Sequence, residues 1–154
     1  MKGQGNLVIF IIVMVLFFLI GAGMVGMFSP DYEAAQSPTA TALDRIDTLR
    51  PDLRCNATYY SHPEHGRPTA SGELFDSTAL TCAIYPGFRK YAPYGSTLLV
   101  RNQINGRLVL VRVNDNMPVK WARQGKMLDL SKAAAESLGI VHQGVASVEA
   151  WRVK

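Results

Sequence analysis

Asn105-Gly106-Arg107-Leu108-Val109-Leu110-Val111-Arg112-Val113-Asn114-Asp115 is the stretch whose reading decides the fold. Side chains alternate along a strand, so Leu108, Leu110 and Arg112 face one way and Val109, Val111 and Val113 the other. Branched apolar residues on both faces point to a strand in a closed barrel rather than one face of an open sheet. Asn105-Gly106 predicts a hairpin turn, type I′ by preference, leading back to a strand at Thr97–Asn102. Asn56–Tyr60, Leu80–Ile84 and Val145–Val153 read as further short strands bounded by turn residues. One helix stands out: Ser131 caps it, Lys132–Leu138 forms it and Gly139 ends it. The last hundred residues are thus a mainly β domain with one short helix.

The remainder is of a different character. The chain has 154 residues, 48% apolar and 18% charged, which fits one domain plus an extension. With 13 Gly, 8 Pro and two Cys, it is neither collagenous, disordered nor a disulfide-dense miniprotein. The apolar residues are unevenly spread, because Leu7 to Phe28 is a run of 22 without a charge. As a helix it reaches ~33 Å, enough for a hydrocarbon core of ~30 Å. Lys2 precedes the run, and Asp31 and Glu33 follow it. The expectation is a single-pass inner-membrane anchor over residues 1–28, with the C-terminal part in the periplasm or cell envelope. The rival reading is a signal peptide with Leu7–Ile20 as its apolar core and Gly21-Ala22-Gly23 as its small-residue site.

Residues 29–54 read as a linker with Pro30, Pro38 and Pro51. Leu43, Ile46 and Leu49 suggest a short amphipathic helix from Pro38 to Arg50. Up to Arg54 there are four basic and five acidic residues; from Cys55 onward there are twelve and seven. The positive charge therefore belongs to the exported domain, 55–154. There it suits an anionic polymer or lipid headgroups outside the cell rather than nucleic acid.

The long stretch Ser61–Ala79 holds His62, Glu64, His65, Arg67, Glu73 and Asp76, the densest reactive cluster in the chain. A loop of this length in a compact domain is usually functional. His62-x-x-His65 beside Glu64 lacks a clear third ligand, so no metal or other cofactor is expected.

Ala57-Thr58-Tyr59-Tyr60 and His65-Gly66-Arg67-Pro68-Thr69-Ala70-Ser71-Gly72-Glu73-Leu74-Phe75-Asp76 resemble the opening of the rare lipoprotein A domain. The likeness continues through Pro93-Tyr94-Gly95-Ser96, Val111-Arg112-Val113-Asn114-Asp115, Leu128-Asp129-Leu130-Ser131-Lys132 and Gly144-Val145-Ala146. The resemblance implies a six-stranded double-psi β-barrel, related to expansins and barwin, with a polysaccharide groove. It also implies a lytic transglycosylase acting on peptidoglycan glycan strands and leaving a 1,6-anhydro end. Such an enzyme needs a carboxylic acid to protonate the glycosidic oxygen, after which the sugar's own C6 hydroxyl attacks. Asp115, at a strand exit, fits that role, and Glu73 matches a second acidic residue tied to activity. Tyr60, His65, Arg67, Ser71 and Arg112 are the matching substrate-binding candidates.

Three departures accompany the likeness. Ile84 stands where the family usually has His, Asn116-Met117 replaces Arg-Gly, and Tyr85 to Ala92 is longer than the usual link. They open the alternative of a non-catalytic glycan-binding or structural envelope barrel. A third reading is a subunit docked by its apolar helix into a membrane complex of unidentified partners. Cys55 and Cys82, in the exported part, are expected to form a disulfide worth ~3–4 kcal/mol, the alternative being two buried thiols.

Overall fold

The computed structural model describes residues 45–60 and 64–153. Two compact units are distinguished, one ending at Arg50 and the other running from Pro51 to Val153. In the first, residues 45–48 are helical, inside the expected Pro38–Arg50 helix. The apolar run Leu7–Phe28 and most of the linker lie outside the described residues. Among the described residues, no helix is long and apolar enough to cross a membrane.

The second unit is a closed barrel of six strands: β1 (Leu53–Tyr60), β2 (Thr81–Ile84), β3 (Thr97–Asn102), β4 (Leu108–Asn116), β5 (Lys126–Ser131) and β6 (Ala146–Val153). Around the barrel they run β1-β5-β2-β4-β3-β6, and β6 closes onto β1. The β1–β5 and β2–β4 pairs are parallel and the others antiparallel. Closure leaves no strand edge for another chain to pair with. Leu98, Val100, Val109, Val111, Val113, Leu128, Leu130 and Val148 fill the interior. The valine face of β4 is thus the inward one, and its leucine face packs outward.

The helix Lys132–Leu138 has its expected bounds. Ser131 Oγ accepts the Ala134 N–H, and Gly139 ends the helix in the left-handed region at φ 71°. A side chain there would also meet Arg107 and Asn105. Alternation underestimated β5, whose Leu128 and Leu130 point inward while Asp129 between them does not. The hairpin differs from a two-residue type I′ turn. The Asn102 N–H bonds the Arg107 carbonyl and the Gly106 N–H the Asn102 carbonyl, which makes a longer loop. Asn105 is used otherwise: its amide donates to the Leu138 carbonyl at the helix end, and its Oδ1 accepts the Arg107 N–H.

The expected disulfide is absent, and Cys55 and Cys82 are free thiols. Strand β5 lies between their strands, and Leu130, the register partner of Cys82, pairs on its other side with Tyr59 rather than Cys55. Two strand spacings of ~4.8 Å already exceed the ~7 Å Cα separation that a disulfide tolerates. Burial pushes the Cys55 thiol up to about 12 and raises Cys82 further still. Both are therefore poor nucleophiles near neutral pH. Dithiothreitol is accordingly expected to leave the melting temperature unchanged, and a maleimide mass shift after unfolding should count two thiols without prior reduction.

One irregularity positions the chemistry. Between β2 and β4 the register slips, so that Cys82 pairs with Val113 but Ala83 with Asp115, leaving Asn114 as an extra residue. Strict alternation from Val109, Val111 and Val113 would turn Asp115 into the apolar core. The bulge reverses the phase and delivers Asp115 to the surface.

Candidate active site

A groove of about 310 Å³ opens where β1, β2, β4 and β5 meet the long loop. Its floor is a row across three strands: Ala83 on β2 is in register with Asp115 of β4 on one side and Asp129 of β5 on the other. Two strand spacings put the Asp115 and Asp129 backbones ~9–10 Å apart, and the single methyl of Ala83 leaves space between them. Tyr60, Arg67, Phe75, Met117 and Trp121 are among the residues that wall the groove.

The two carboxylates have different surroundings. Asp115 Oδ1 accepts the N–H of Ala70 at 2.9 Å and of Asn116 at 2.8 Å. Its Oδ2 makes no hydrogen bond among the described residues, so it is available to a ligand. Asp129 is more deeply set. Burial, with smaller contributions from Glu64 and Asp115, raises its proton affinity against the opposing hydrogen bond from Thr58. Thr58 Oγ1 donates to Asp129 Oδ1 at 2.6 Å from the residue directly opposite on β1. A carboxyl with raised proton affinity across from one with a free oxygen is an arrangement suited to acid–base work.

Glu73 lies at the rim rather than on the floor. Its carboxylate accepts hydrogen bonds from Arg112 Nη1 at 3.0 Å and from the Asn114 amide. These donors hold it below the usual carboxylate range. The tie is therefore present at neutral pH and is lost as acid protonates the folded-state group. The bond to Asn114, the Ser71 N–H donated to the Asn114 carbonyl and the Ala70 N–H donated to Asp115 fasten the loop to the bulge. Glu73 is thus joined to Asn114, the residue before Asp115, and is not among the residues that line the groove.

The other expected residues separate into two groups. Tyr60 and Arg67 line the groove. Ser71 bonds Thr69 at 2.9 Å, and Arg112 is engaged with Glu73, so both stabilise the loop. His65 does not reach the floor; its Nδ1 accepts the Ser77 N–H at 3.2 Å. His62 lies outside the described residues. Ile84 is fully buried in the core, and among the described residues two backbone N–H groups, with no imidazole, attend Asp115. Sequence reasoning missed Asp129 and underused Trp121. An acid between two leucines of a buried strand was the available signal for the first. For the second it was an aromatic with Lys120 and Lys126 nearby; their ammonium groups lie 5.4 and 4.4 Å from the ring centroid.

With the geometry in hand, likeness to known proteins becomes informative. An endolytic peptidoglycan transglycosylase RlpA of Neisseria meningitidis serogroup B is 44% identical over 94 residues, 61% of this chain and 36% of that protein. A probable one from Synechocystis is 40% identical over 115 residues, 75% of this chain and 33% of that protein. The chain therefore spans only about a third of these two relatives. Among solved structures, an expansin from Clavibacter michiganensis in complex with cellohexaose superposes with a TM-score of 0.50 at 22% identity. That match covers 66% of this chain and 51% of the expansin, and it shows the fold. The family described as lytic transglycolase matches residues 53–150, the whole barrel except the last three residues of β6. The chain belongs to that family, as an RlpA-like double-psi β-barrel.

Proposed function

We propose that this chain is a membrane-anchored, envelope-facing protein that binds peptidoglycan glycan strands in the Asp115–Asp129 groove and cleaves them as a lytic transglycosylase. The observation that carries the reading is the pair of carboxylates flanking Ala83 in one row, one with raised proton affinity and one with a free oxygen. The relatives' names, and cellohexaose in the expansin structure, support a glycan ligand. The uncharged run Leu7–Phe28 supports the anchor, and the basic domain supports an anionic wall polymer.

In this reading Asp129 gives its proton to the glycosidic oxygen as the C1–O bond breaks. The C6 hydroxyl of the same sugar closes on C1, and its proton passes to Asp115 Oδ2. Water then returns the proton to Asp129, and none is consumed in the reaction. Trp121 offers a ring to a sugar, while Arg67, Lys120 and Lys126 meet carboxylates along the strand.

The burial of Ile84 favours a second reading, a barrel that holds glycan without cutting it. Incubating the purified chain with peptidoglycan sacculi separates the two. Mass spectrometry is expected to find 1,6-anhydro-muropeptides accumulating with time. Co-sedimentation with sacculi and no anhydro product identifies the binder instead.

A further inference from the structure

Tyr60 Oη, Thr81 Oγ1 and Asn114 Oδ1 are buried without a hydrogen-bond partner among the described residues, and of these three residues Tyr60 is the one that lines the groove. Tyr60 ends β1 and lines the groove that contains Asp115 and Asp129. Its ring stacks on Phe75 with centroids 4.2 Å apart and planes 19° from parallel, which fixes its direction. Its oxygen is buried and has no hydrogen-bond partner among the described residues. A buried donor without an acceptor destabilises the folded protein, so such groups are rare, and those that persist often serve a site. Here the ring is clamped and the groove is at hand, so a ligand oxygen is the natural acceptor.

We propose that Tyr60 is a further catalytic residue, whose hydroxyl donates a hydrogen bond to a sugar oxygen at the linkage being broken. The proposal rests on the transglycosylase reading above and adds to it the group that supports the departing oxygen. Tyr60 itself transfers no proton. As the C1–O bond lengthens and negative charge builds on the leaving oxygen, the phenol strengthens its bond while Asp129 supplies the proton. Burial, and next the carboxylate of Asp115, push the phenol above its ordinary range, so it remains a donor throughout the working pH range. The bond to the uncharged linkage oxygen is weak and strengthens as negative charge builds there, so it acts on the transition state more than on strand binding.

This makes a signature that a structural tyrosine lacks. Tyr60→Phe keeps the ring and its stack and removes only the oxygen. The free variant is expected to melt at the parent temperature or above, because an unsatisfied polar atom has gone. Its kcat for anhydro-muropeptide release is expected to fall about tenfold to a hundredfold, in the range for loss of one transition-state donor. Co-sedimentation with sacculi should change little. A free variant that melts lower would show that the hydroxyl already has a partner, and would overturn the proposal. So would a kcat within twofold of the parent. Absence of anhydro product from the parent chain would defeat the transglycosylase reading and this role together. Product from the parent with an unaffected Tyr60→Phe would defeat this role alone.

Discussion

Asp129→Asn is expected to cut anhydro-muropeptide formation by at least a hundredfold while leaving the protein as stable as the parent, or more so, near neutral pH. The loss follows from removing the proton donor, since general acid catalysis by a placed side chain contributes ~10²–10⁴-fold. The stability follows from the direction of its titration. Burial raises the folded-state pKa of Asp129 above its unfolded value. Its contribution to stability is therefore fullest below the unfolded pKa and is lost as pH rises through the folded pKa. An amide carries no such loss and can still accept from Thr58. The parent should thus lose melting temperature relative to Asp129→Asn as pH climbs from 4 to 8, read by calorimetry alongside the product assay. Asp115→Asn should also abolish product, for want of the oxygen that takes the C6 proton. Full product release by either variant would remove that residue from the chemistry.

Leu130→Ala is expected to cost ~2–5 kcal/mol, the usual range for truncating a fully buried leucine. Leu130 is completely buried, and its strand lies between β1 and β2, pairing with Tyr59 on one side and Cys82 on the other. The cavity would open among Ala57, Cys82, Leu128 and the rest of the barrel core. Domains of this size have ~5–15 kcal/mol in hand, so the variant should melt at least ~10 °C lower in a thermal scan. Because Asp129 precedes it, loosened packing should also blur the groove floor, and activity should fall before the domain unfolds. An unchanged melting temperature would mean that the side chain does not support the core as described.

Much of the barrel was legible because single residues settle single questions. The run Leu108–Val113 announces a two-sided strand, and Ser131 and Gly139 bracket a helix at its true ends. The likeness to rare lipoprotein A supplied the strand number and the double-psi topology, which local patterns do not contain. What stayed hidden depended on neighbours distant in sequence. Strand β5 is short and only partly apolar, and it is fixed by β1 and β2 on either side. The separation of Cys55 from Cys82 follows from that same insertion of β5. Asp129 reads as one polar residue among many until Ala83 and Asp115 lie beside it. The partners of Glu73 were hidden in the same way, since Arg112 and Asn114, which engage it at the rim, lie about forty residues on.

The extra residue at Asn114 has a consequence for how such a site can change over time. Point substitutions can exchange the groove's side chains one at a time, but the phase of β4 is set by a count of residues. Inserting one more residue between Val113 and Asp115 would turn the carboxyl toward the valine layer and take it from the groove floor. The chemistry is therefore written in spacing as well as in identity. A descendant lineage can gain or lose the acid by mutation and keep its barrel, whereas a length change in this strand puts fold and function at risk together.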